Sequence, residues 1–448
     1  MGDQTNNPAD PTTDESASDS AVGMVLALPS GSVDAPIELH LFWPEAGGAR
    51  FGEGAPVVVV VPGGHRPSLA ADETDDDVIR AVQRGFIHVS FSMPGTLDEE
   101  TGRGTGGAYD YRGPTCQRAL ADTILFALGR LADTDGKSIT DHVSFAKVDN
   151  VGVVGLSNGG NLVLTTLAAH GSELDSLGWL VTWESPIGDQ YVTVELGSGT
   201  TLNPYYTPGT STTTAAPWPG MGDALAFDAT QTVELEDPAT RLATTVTGAL
   251  FLDQDGDGSL DAGEFPFSPV GGPGTTVGSR HLPKGYTSVE LAELVADNAE
   301  RLFPEGMPVW LADLDEVKSY WADRDGSLAI GIVTKALPEL SLLALATEQD
   351  HVQSQPDHPH VRSLVNGWLE AGGGWVRLNP DAGYLAELTG EPASQFPDTV
   401  PNVSIPYPGI EAMVMPETVN EVTINSTIIV TAAMMEMADR AEGVFLSE

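Results

Sequence analysis

One short segment of the chain combines a serine with the small residues that a reactive serine needs around it. Residues 155–159, GLSNG, have the G-x-S-x-G spacing of a nucleophile elbow, a sharp strand-to-helix turn that presents a serine hydroxyl. The apolar run VGVV precedes the motif and an amphipathic helical stretch follows it, which is the context that the motif requires. N–H groups at the start of that helix would point at a developing oxyanion. The segment predicts that Ser157 is a nucleophile.

A second segment, DQDGDGSLDAGE at 253–264, fits an EF-hand calcium loop at every ligand position. Carboxylates stand at positions 1, 3, 5, 9 and 12, a glycine at the turn position 6, and a carbonyl ligand at 7. So many carboxylates in one loop would repel one another without a cation. The segment therefore predicts a structural calcium ion (Ca2+). The predicted ligands are Asp253, Asp255, Asp257, Ser259, Asp261 and Glu264.

The elements that must position the serine form an alternating pattern. Apolar runs typical of strands buried on both faces are separated by helical stretches, which predicts an α/β fold with a doubly wound, mostly parallel sheet. A hairpin with alternating polarity at 22–43 precedes them. The predicted buried strands lie within 56–64, 86–95, 151–157, 177–186, 340–347 and 374–380.

The pattern also predicts how the chain is divided. Residues 187–310 are too long for a loop in a compact domain, so we expect a large insertion that carries the calcium loop and forms a lid. The polar first residues are expected to be disordered. The predicted segments are a tail at 1–21, the first part of the core at 22–186, the insertion at 187–310, the second part of the core at 311–380, and a C-terminal extension at 381–448.

The elbow and two further features resemble the α/β-hydrolase superfamily, especially its dienelactone-hydrolase-like and prolyl-oligopeptidase-like branches. VVVVVPGG at 57–64 ends a strand with two glycines where the superfamily has its oxyanion loop. ATEQDHV at 346–352 is similar to the loop that carries the triad acid. The resemblance covers roughly 22–185 and 305–380. It implies the α/β-hydrolase fold, Ser157 as nucleophile, Asp350 as acid, and the N–H groups of Asn158 and of Gly64 or His65 as oxyanion donors.

The general base departs from the superfamily pattern, which places a histidine after the last core strand. No histidine follows His360 in this chain. A histidine next to Asp350 points away from it in an extended chain, so His351 ranks below the other histidines near the acid loop. The candidates in order of expectation are His360, His358, His351 and His65. Glu184, at the end of LVTWESP, is the second candidate for the acid.

Composition excludes several classes of partner. The chain has 64 Asp and Glu against 20 Lys and Arg, a net charge of −44, which disfavours nucleic acid and anionic membranes. The lone Cys116 excludes an intrachain disulfide. The sequence shows neither a signal peptide nor an apolar run of about 20 residues that would form a transmembrane segment. A filled calcium site favours an exported or cell-surface location.

Three functions fit these observations. The leading one is a serine hydrolase that cleaves a carboxylic ester or another small acyl substrate beneath a calcium-stabilised lid. The alternatives are a prolyl-oligopeptidase-like peptidase and a non-catalytic calcium-binding surface protein that retains the hydrolase fold, which the missing late histidine favours. The oligomeric state is not indicated by the sequence.

Overall fold

The computed structural model of the protein describes most of the chain. The described residues are 21–31, 33–45, 47–188, 195–198, 201–206, 220–236, 239, 242–267, 284–352 and 357–444. The tail expected at 1–21 lies outside them except for Ala21.

An eight-stranded sheet forms the centre of the molecule, with the strand order β1-β2-β4-β3-β5-β6-β7-β8. The pairs β1–β2 and β2–β4 are antiparallel, and the remaining neighbours are parallel. This confirms the predicted α/β-hydrolase fold with a mostly parallel sheet. The strands are β1 (Val22–Leu28), β2 (Ile37–Trp43), β3 (Ala55–Val61), β4 (Ile87–Phe91), β5 (Ala146–Leu156), β6 (Trp179–Trp183), β7 (Ser341–Leu345) and β8 (Val376–Leu378).

The strands form where the sequence has continuous apolar runs. Every residue of β3 and β4 is buried, because helices cover both faces of the sheet. One face packs against α2 to α5, and the other against α1, α6 and α7. The covering helices are α1 (Asp76–Gln83), α2 (Pro114–Ala127), α3 (Asn158–His170), α4 (Gly326–Ala336), α5 (Pro359–Glu370), α6 (Ala382–Thr389) and α7 (Ser426–Glu442).

The segment after residue 380 contributes to the core. The long helix α7 buries its apolar side chains against β5, β6 and β7, and α6 packs beside it. Asn425 caps its first turn by accepting the Ile428 N–H at 2.9 Å. A buried ion pair of Arg377 with Glu436 joins β8 to α7. The predicted extension therefore completes one face of the sheet, since a parallel sheet must be covered on both sides.

The insertion has a small core of its own, built on an antiparallel hairpin with a third short strand. Its main strands are Leu225–Glu236, Ala243–Leu252 and Phe265–Pro266. Its helices are Met221–Ala224, Val289–Asp297 and Ala299–Leu302. The helix Leu314–Trp321 lies beyond the predicted boundary at 310 and packs against Val289–Asp297. Smaller elements elsewhere are the strands Gly197–Ser198, Thr201–Leu202, Thr418–Val419 and Val422–Thr423, the helix Ile139–His142, and the 3-10 turns Gly171–Glu173, Ala393–Gln395 and Ile410–Ala412.

Candidate active site

Ser157 lies directly after β5, at the carboxyl edge of the sheet and near its middle. Its backbone has φ 50° and ψ −126°, a left-handed conformation that a non-glycine residue rarely adopts. The Ser157 N–H donates to the Trp183 carbonyl at 2.7 Å, and α3 begins at the next residue. The turn thus has the strained geometry expected of a nucleophile elbow.

The glycines of the elbow are required by close backbone packing. A Cβ atom on Gly155 would lie 2.4 Å from the Cα of Gly160. On Gly159 it would lie 2.2 Å from the Val61 carbonyl oxygen, and on Gly160 2.0 Å from the Ser185 hydroxyl. Side chains at these positions would push α3 away from the sheet, so the motif is explained by packing as well as by chemistry.

An imidazole reaches the serine from the loop after β7. The Nε2 atom of His351 lies 3.0 Å from Ser157 Oγ, and its Nδ1 lies 2.5 Å from the Glu184 carboxylate. A carboxylate can only accept a bond, so Nδ1 carries the proton and Nε2 is free to accept from the serine hydroxyl. The three side chains therefore form a continuous hydrogen-bonded chain that ends at Ser157.

Glu184 is held firmly at the end of β6. Its side chain is only 1% exposed, and its backbone has a φ of 43°. One carboxylate oxygen accepts from the Thr347 hydroxyl, and the other accepts both the ring Nδ1–H and the backbone N–H of His351. This carboxylate fixes the imidazole in one tautomer and one orientation.

The surroundings of His351 change its basicity. Burial by itself would lower its pKa, but the bond to Glu184 and the negative charges of Glu184 and Asp350 act in the opposite direction. The net result is a pKa above the ordinary histidine value. The protonated imidazole that forms when a base accepts a proton is therefore favoured here.

Asp350 does not occupy the place that the resemblance implies. Its carboxylate lies 2.8 Å from His360 Nε2 and 3.6 Å from His358 Nδ1, and all three side chains are buried. The structure places Glu184, not Asp350, against the imidazole that reaches Ser157. Adjacent residues point in different directions, so Asp350 faces inward toward the start of α5 while His351 faces the elbow. The expected order, with His360 and His358 first, is corrected accordingly.

The predicted oxyanion loop borders the serine. A Cβ atom on Gly63 would lie 2.8 Å from the Cβ of Ser157, so a side chain there would collide with Ser157. Gly64 has a φ of 77°, and its carbonyl accepts the Asn158 side-chain amide at 2.9 Å. The Asn158 N–H, in the first turn of α3, has no acceptor within its helix. The loop at 63–64 and the start of α3 therefore both adjoin Ser157.

Arg112 supports this loop and was not singled out from the sequence. Its guanidinium is buried and donates to the carbonyls of Pro62 and Gly63 at 3.0 and 2.7 Å. The Tyr109 hydroxyl donates to the carbonyl of His65 at 2.8 Å. Thr347, which binds Glu184, was also missed. No short motif marks these residues, because their partners are distant backbone and side-chain groups.

The insertion and a segment that follows it each contact an element near the site. The Tyr206 hydroxyl donates to the buried Asp357 carboxylate at 2.7 Å, and Arg362 of α5 donates to it at 3.0 Å. Asn161 of α3 binds the Arg324 carbonyl at 2.7 Å through its side-chain amide. Tyr206 of the insertion thus contacts the chain just before α5, and Arg324 in the second part of the core contacts α3.

Two groups of described residues have oxygen or nitrogen donors within 4.8 Å of one another, the spacing of metal ligands. The first is Glu184, Asp350 and His351, in which His351 bonds to Glu184 and Ser157 and Asp350 is its neighbour in the chain. The second is the predicted calcium loop, where the carboxylates of Asp253, Asp255 and Asp257 converge.

The predicted calcium loop connects two strands rather than two helices. It runs from Leu252 to Phe265, and Leu260 is buried in the insertion core. Asp228 of the hairpin accepts the Leu260 N–H at 3.1 Å. Although burial opposes it, hydrogen bonds from Thr230, Gln231 and Leu260 lower the pKa of Asp228 to about 2. The loop is therefore anchored to the hairpin by a carboxylate that stays ionised.

Glu264, at the last ligand position, is turned toward the loop backbone. Its two oxygens accept the N–H groups of Gln254 at 2.7 Å and Asp261 at 3.0 Å. The structure thus brings three of the predicted carboxylates together and places Glu264 at the closing end. The donor set consists of hard oxygen ligands, as calcium requires.

Comparisons with known proteins give structural matches only. No family and no curated protein matches the chain in sequence. Brefeldin A esterase, a bacterial homologue of human hormone sensitive lipase, is 17% identical, with a TM-score of 0.29 over 41% of this chain and 45% of that one. A bacterial heroin esterase is 16% identical, with a TM-score of 0.29 over 41% and 50%. Carboxyl esterase 2 from the mycorrhizal fungus Tuber melanosporum is 11% identical, with a TM-score of 0.37 over 82% and 77%.

The matched part of this chain spans half or less of the length of the two bacterial esterases. Similarity at these scores does not identify an activity, so the function must be argued from the site. Among the described residues, no helix is both long and apolar enough to cross a membrane. The strand order and the elbow geometry give this chain the α/β-hydrolase fold.

Proposed function

We propose that this protein is a serine hydrolase that cleaves carboxylic esters of small molecules. The observation that carries the proposal is the hydrogen-bonded chain from Ser157 through His351 to Glu184. A serine hydroxyl alone is a weak nucleophile, and an adjacent oriented base is what activates it. This arrangement has the nucleophile, base and orienting acid of a catalytic triad.

The reaction follows from these positions. His351 Nε2 takes the Ser157 proton as the oxygen attacks the ester carbonyl carbon, and Glu184 stabilises the resulting imidazolium. The carbonyl oxygen becomes negatively charged and is bound by N–H groups of Asn158 and of Gly64 or His65. The imidazolium then gives its proton to the departing alcohol, which leaves an acyl group on Ser157. Water, activated by the same histidine, releases the acid.

The two alternative functions differ in what supports them. The non-catalytic alternative depended on the absence of a histidine partner, and His351 at 3.0 Å from Ser157 removes that support. A peptidase would use the same triad, so substrate comparison must separate it from an esterase. We prefer the esterase because an ester carries a better leaving group and needs no recognition of a peptide backbone.

A fluorophosphonate probe tests the nucleophile directly. We expect covalent labelling of Ser157, found by mass spectrometry of the peptide that contains it, and no labelling of the S157A variant. p-Nitrophenyl acetate should be hydrolysed faster than alanyl-p-nitroanilide by the native protein. Absence of labelling in native protein would overturn the enzyme proposal, and a preference for the anilide would favour the peptidase.

We further propose that the loop at 253–264 binds calcium and stabilises the insertion. The convergence of Asp253, Asp255 and Asp257 supports this, and the ligands would be completed by the Ser259 carbonyl, Asp261 and Glu264. An extracellular calcium supply would keep such a site filled, so the proposal includes an exported or cell-surface location.

Chelation tests the calcium proposal. At a calcium concentration 100 times the dissociation constant, binding would stabilise the folded insertion by about 2.7 kcal/mol. Adding EGTA should therefore lower the melting temperature, and D253N should show the low value with or without chelator. D135N, outside the loop, is the control and should still respond to EGTA. An identical melting curve with calcium and with EGTA would contradict the proposal.

A further inference from the structure

The indole of Trp183 lies flat against the His351 imidazole. The ring centroids are 4.7 Å apart and the ring planes differ by only 14°, which is a stacked arrangement. His351 itself is 46% exposed and stands on a loop, so it has one open side. Stacking on one side and the Glu184 bond at Nδ1 together restrict the directions in which the ring can turn.

Trp183 is held in the sheet by both neighbouring strands. It ends β6 and pairs with Leu156 of β5 on one side and Leu345 of β7 on the other. Its carbonyl accepts the Ser157 N–H at 2.7 Å, and the next residue is Glu184. The end of β6 therefore contributes to all three members of the proposed triad. The Trp183 carbonyl binds the Ser157 N–H, the Trp183 ring stacks on His351, and the residue after Trp183 is Glu184 itself.

The stack also matters for charge. The face of an indole ring attracts a cation, and the attraction grows when the cation is partly removed from water. His351 is neutral before reaction and positively charged while it holds the serine proton. An interaction that is stronger with the charged ring favours the transition state over the ground state.

Other charged groups face His351 as well, and their effects must be separated from that of the indole. Glu184, at the end of β6, binds Nδ1, and Asp350 precedes His351 in the chain. Asp350 in turn lies against His360 and His358 from α5. The carboxylates act on the ring edge and through space, whereas Trp183 acts on the ring face.

We propose that Trp183 is a positioning residue that holds the His351 imidazole by stacking and stabilises its protonated form. The inference rests on the proposed function for its kinetic consequences, but the stack itself can be tested without turnover.

Substitution separates an aromatic face from simple bulk. We expect W183F to keep kcat for p-nitrophenyl acetate within about threefold of native, because a smaller aromatic face remains. W183L should lower kcat by about 10- to 100-fold with little change in KM, because the base is no longer held in place. The rise of kcat/KM with pH should occur about half a pH unit lower in W183L than in native protein, because the protonated imidazole loses the indole face. Native kinetics and an unmoved profile in W183L would overturn the proposal.

Fluorinated tryptophan tests the charge effect without changing the shape of the site. Fluorine withdraws electrons from the indole face and weakens cation binding. Incorporation at all eight tryptophans should shift the acidic limb to lower pH in native protein. The same incorporation in W183F should produce no shift. Equal shifts in the two proteins would show that other tryptophans are responsible and would overturn the assignment to Trp183.

A titration of His351 by NMR distinguishes failure of this inference from failure of the proposed function. S157A and the double variant S157A/W183L are compared, so no catalysis is needed. A lower His351 pKa in the double variant supports the stack even if the protein hydrolyses no ester. An unchanged pKa contradicts it even if the native protein is an active esterase.

Discussion

Two histidines that are close in the chain, His351 and His360, each contact a carboxylate, and the two pairs occupy opposite environments. His351 Nδ1 lies 2.5 Å from the Glu184 carboxylate, and His351 Nε2 lies 3.0 Å from Ser157 Oγ. The His351 side chain is 46% exposed. His360 and Asp350 are 2.8 Å apart, and both side chains are completely buried. The chemistry of the two pairs is similar. Only the first has an imidazole nitrogen directed at the nucleophile, so position and not composition assigns the role.

The difference arises where the chain leaves β7. Asp350 and His351 are neighbours, yet one faces the interior and the other faces the elbow. Glu184 reaches His351 from the adjacent strand β6, because parallel strands bring their carboxyl ends to one edge of the sheet. The pair that reaches Ser157 is therefore formed between the ends of two strands, whereas the buried pair joins the loop after β7 to α5.

The largest expected effect is the contrast between the two histidines in catalysis. Replacing His351 with Asn should lower kcat/KM for p-nitrophenyl acetate by about 10³- to 10⁴-fold, because the serine loses its base. H360N should leave kcat/KM within about tenfold of native in protein that remains folded, because His360 Nε2 lies against Asp350 while His351 is the imidazole placed against Ser157. Circular dichroism of both variants provides the control for folding. Equal losses in both would show that the comparison of the pairs is mistaken.

The carboxylates should show the same contrast at a somewhat smaller scale. E184Q should reduce kcat by about 10²- to 10⁴-fold, because the amide no longer enforces the required tautomer of His351. D350N should reduce it far less, since Asp350 acts on His351 only through its charge. The measurement is the single-turnover rate of acylation. A larger loss in D350N than in E184Q would restore Asp350 as the triad acid.

The effects on the free energy of unfolding should have the opposite order, with the larger loss at the buried pair. H360A removes a completely buried side chain and leaves the buried Asp350 carboxyl without this partner, at a cost of about 3 kcal/mol in unfolding free energy. H351A should cost less than about 1 kcal/mol, because the ring is half exposed and the pair is screened by solvent. Urea unfolding of the two variants checks the prediction. A costlier H351A would mean that the exposed pair also supports the fold.

The pH dependence of activity should sharpen the comparison further. The base must be neutral to accept the serine proton, and the raised pKa of His351 delays deprotonation. We expect kcat/KM to rise with pH through an apparent pKa above about 6.5 and then level off. D350N should move this limb to lower pH by removing one of the charges that raise it. A native limb below the ordinary histidine pKa would contradict the geometry.

Much of the fold could be predicted from local patterns. The apolar runs at 56–64 and 151–157 became β3 and β5, because continuous burial on both faces leaves a direct mark in the sequence. A C-terminal extension was predicted, but not that its helix α7 covers one face of the sheet. Which face a distant helix covers depends on the path of the whole chain and on pairs such as Arg377 with Glu436.

The sequence by itself determined the parts of the site that are made within one short segment. The elbow around Ser157 was identifiable because its glycines are needed where β5, the turn and α3 come together within a few residues. The acidic loop at 253–264 was identifiable for the same reason, since all its ligand candidates are local. Only the tertiary structure brought His351 and Glu184 together beside Ser157. Glu184 and His351 are 167 residues apart, and their contact depends on strand order and side-chain direction, which a single sequence does not display.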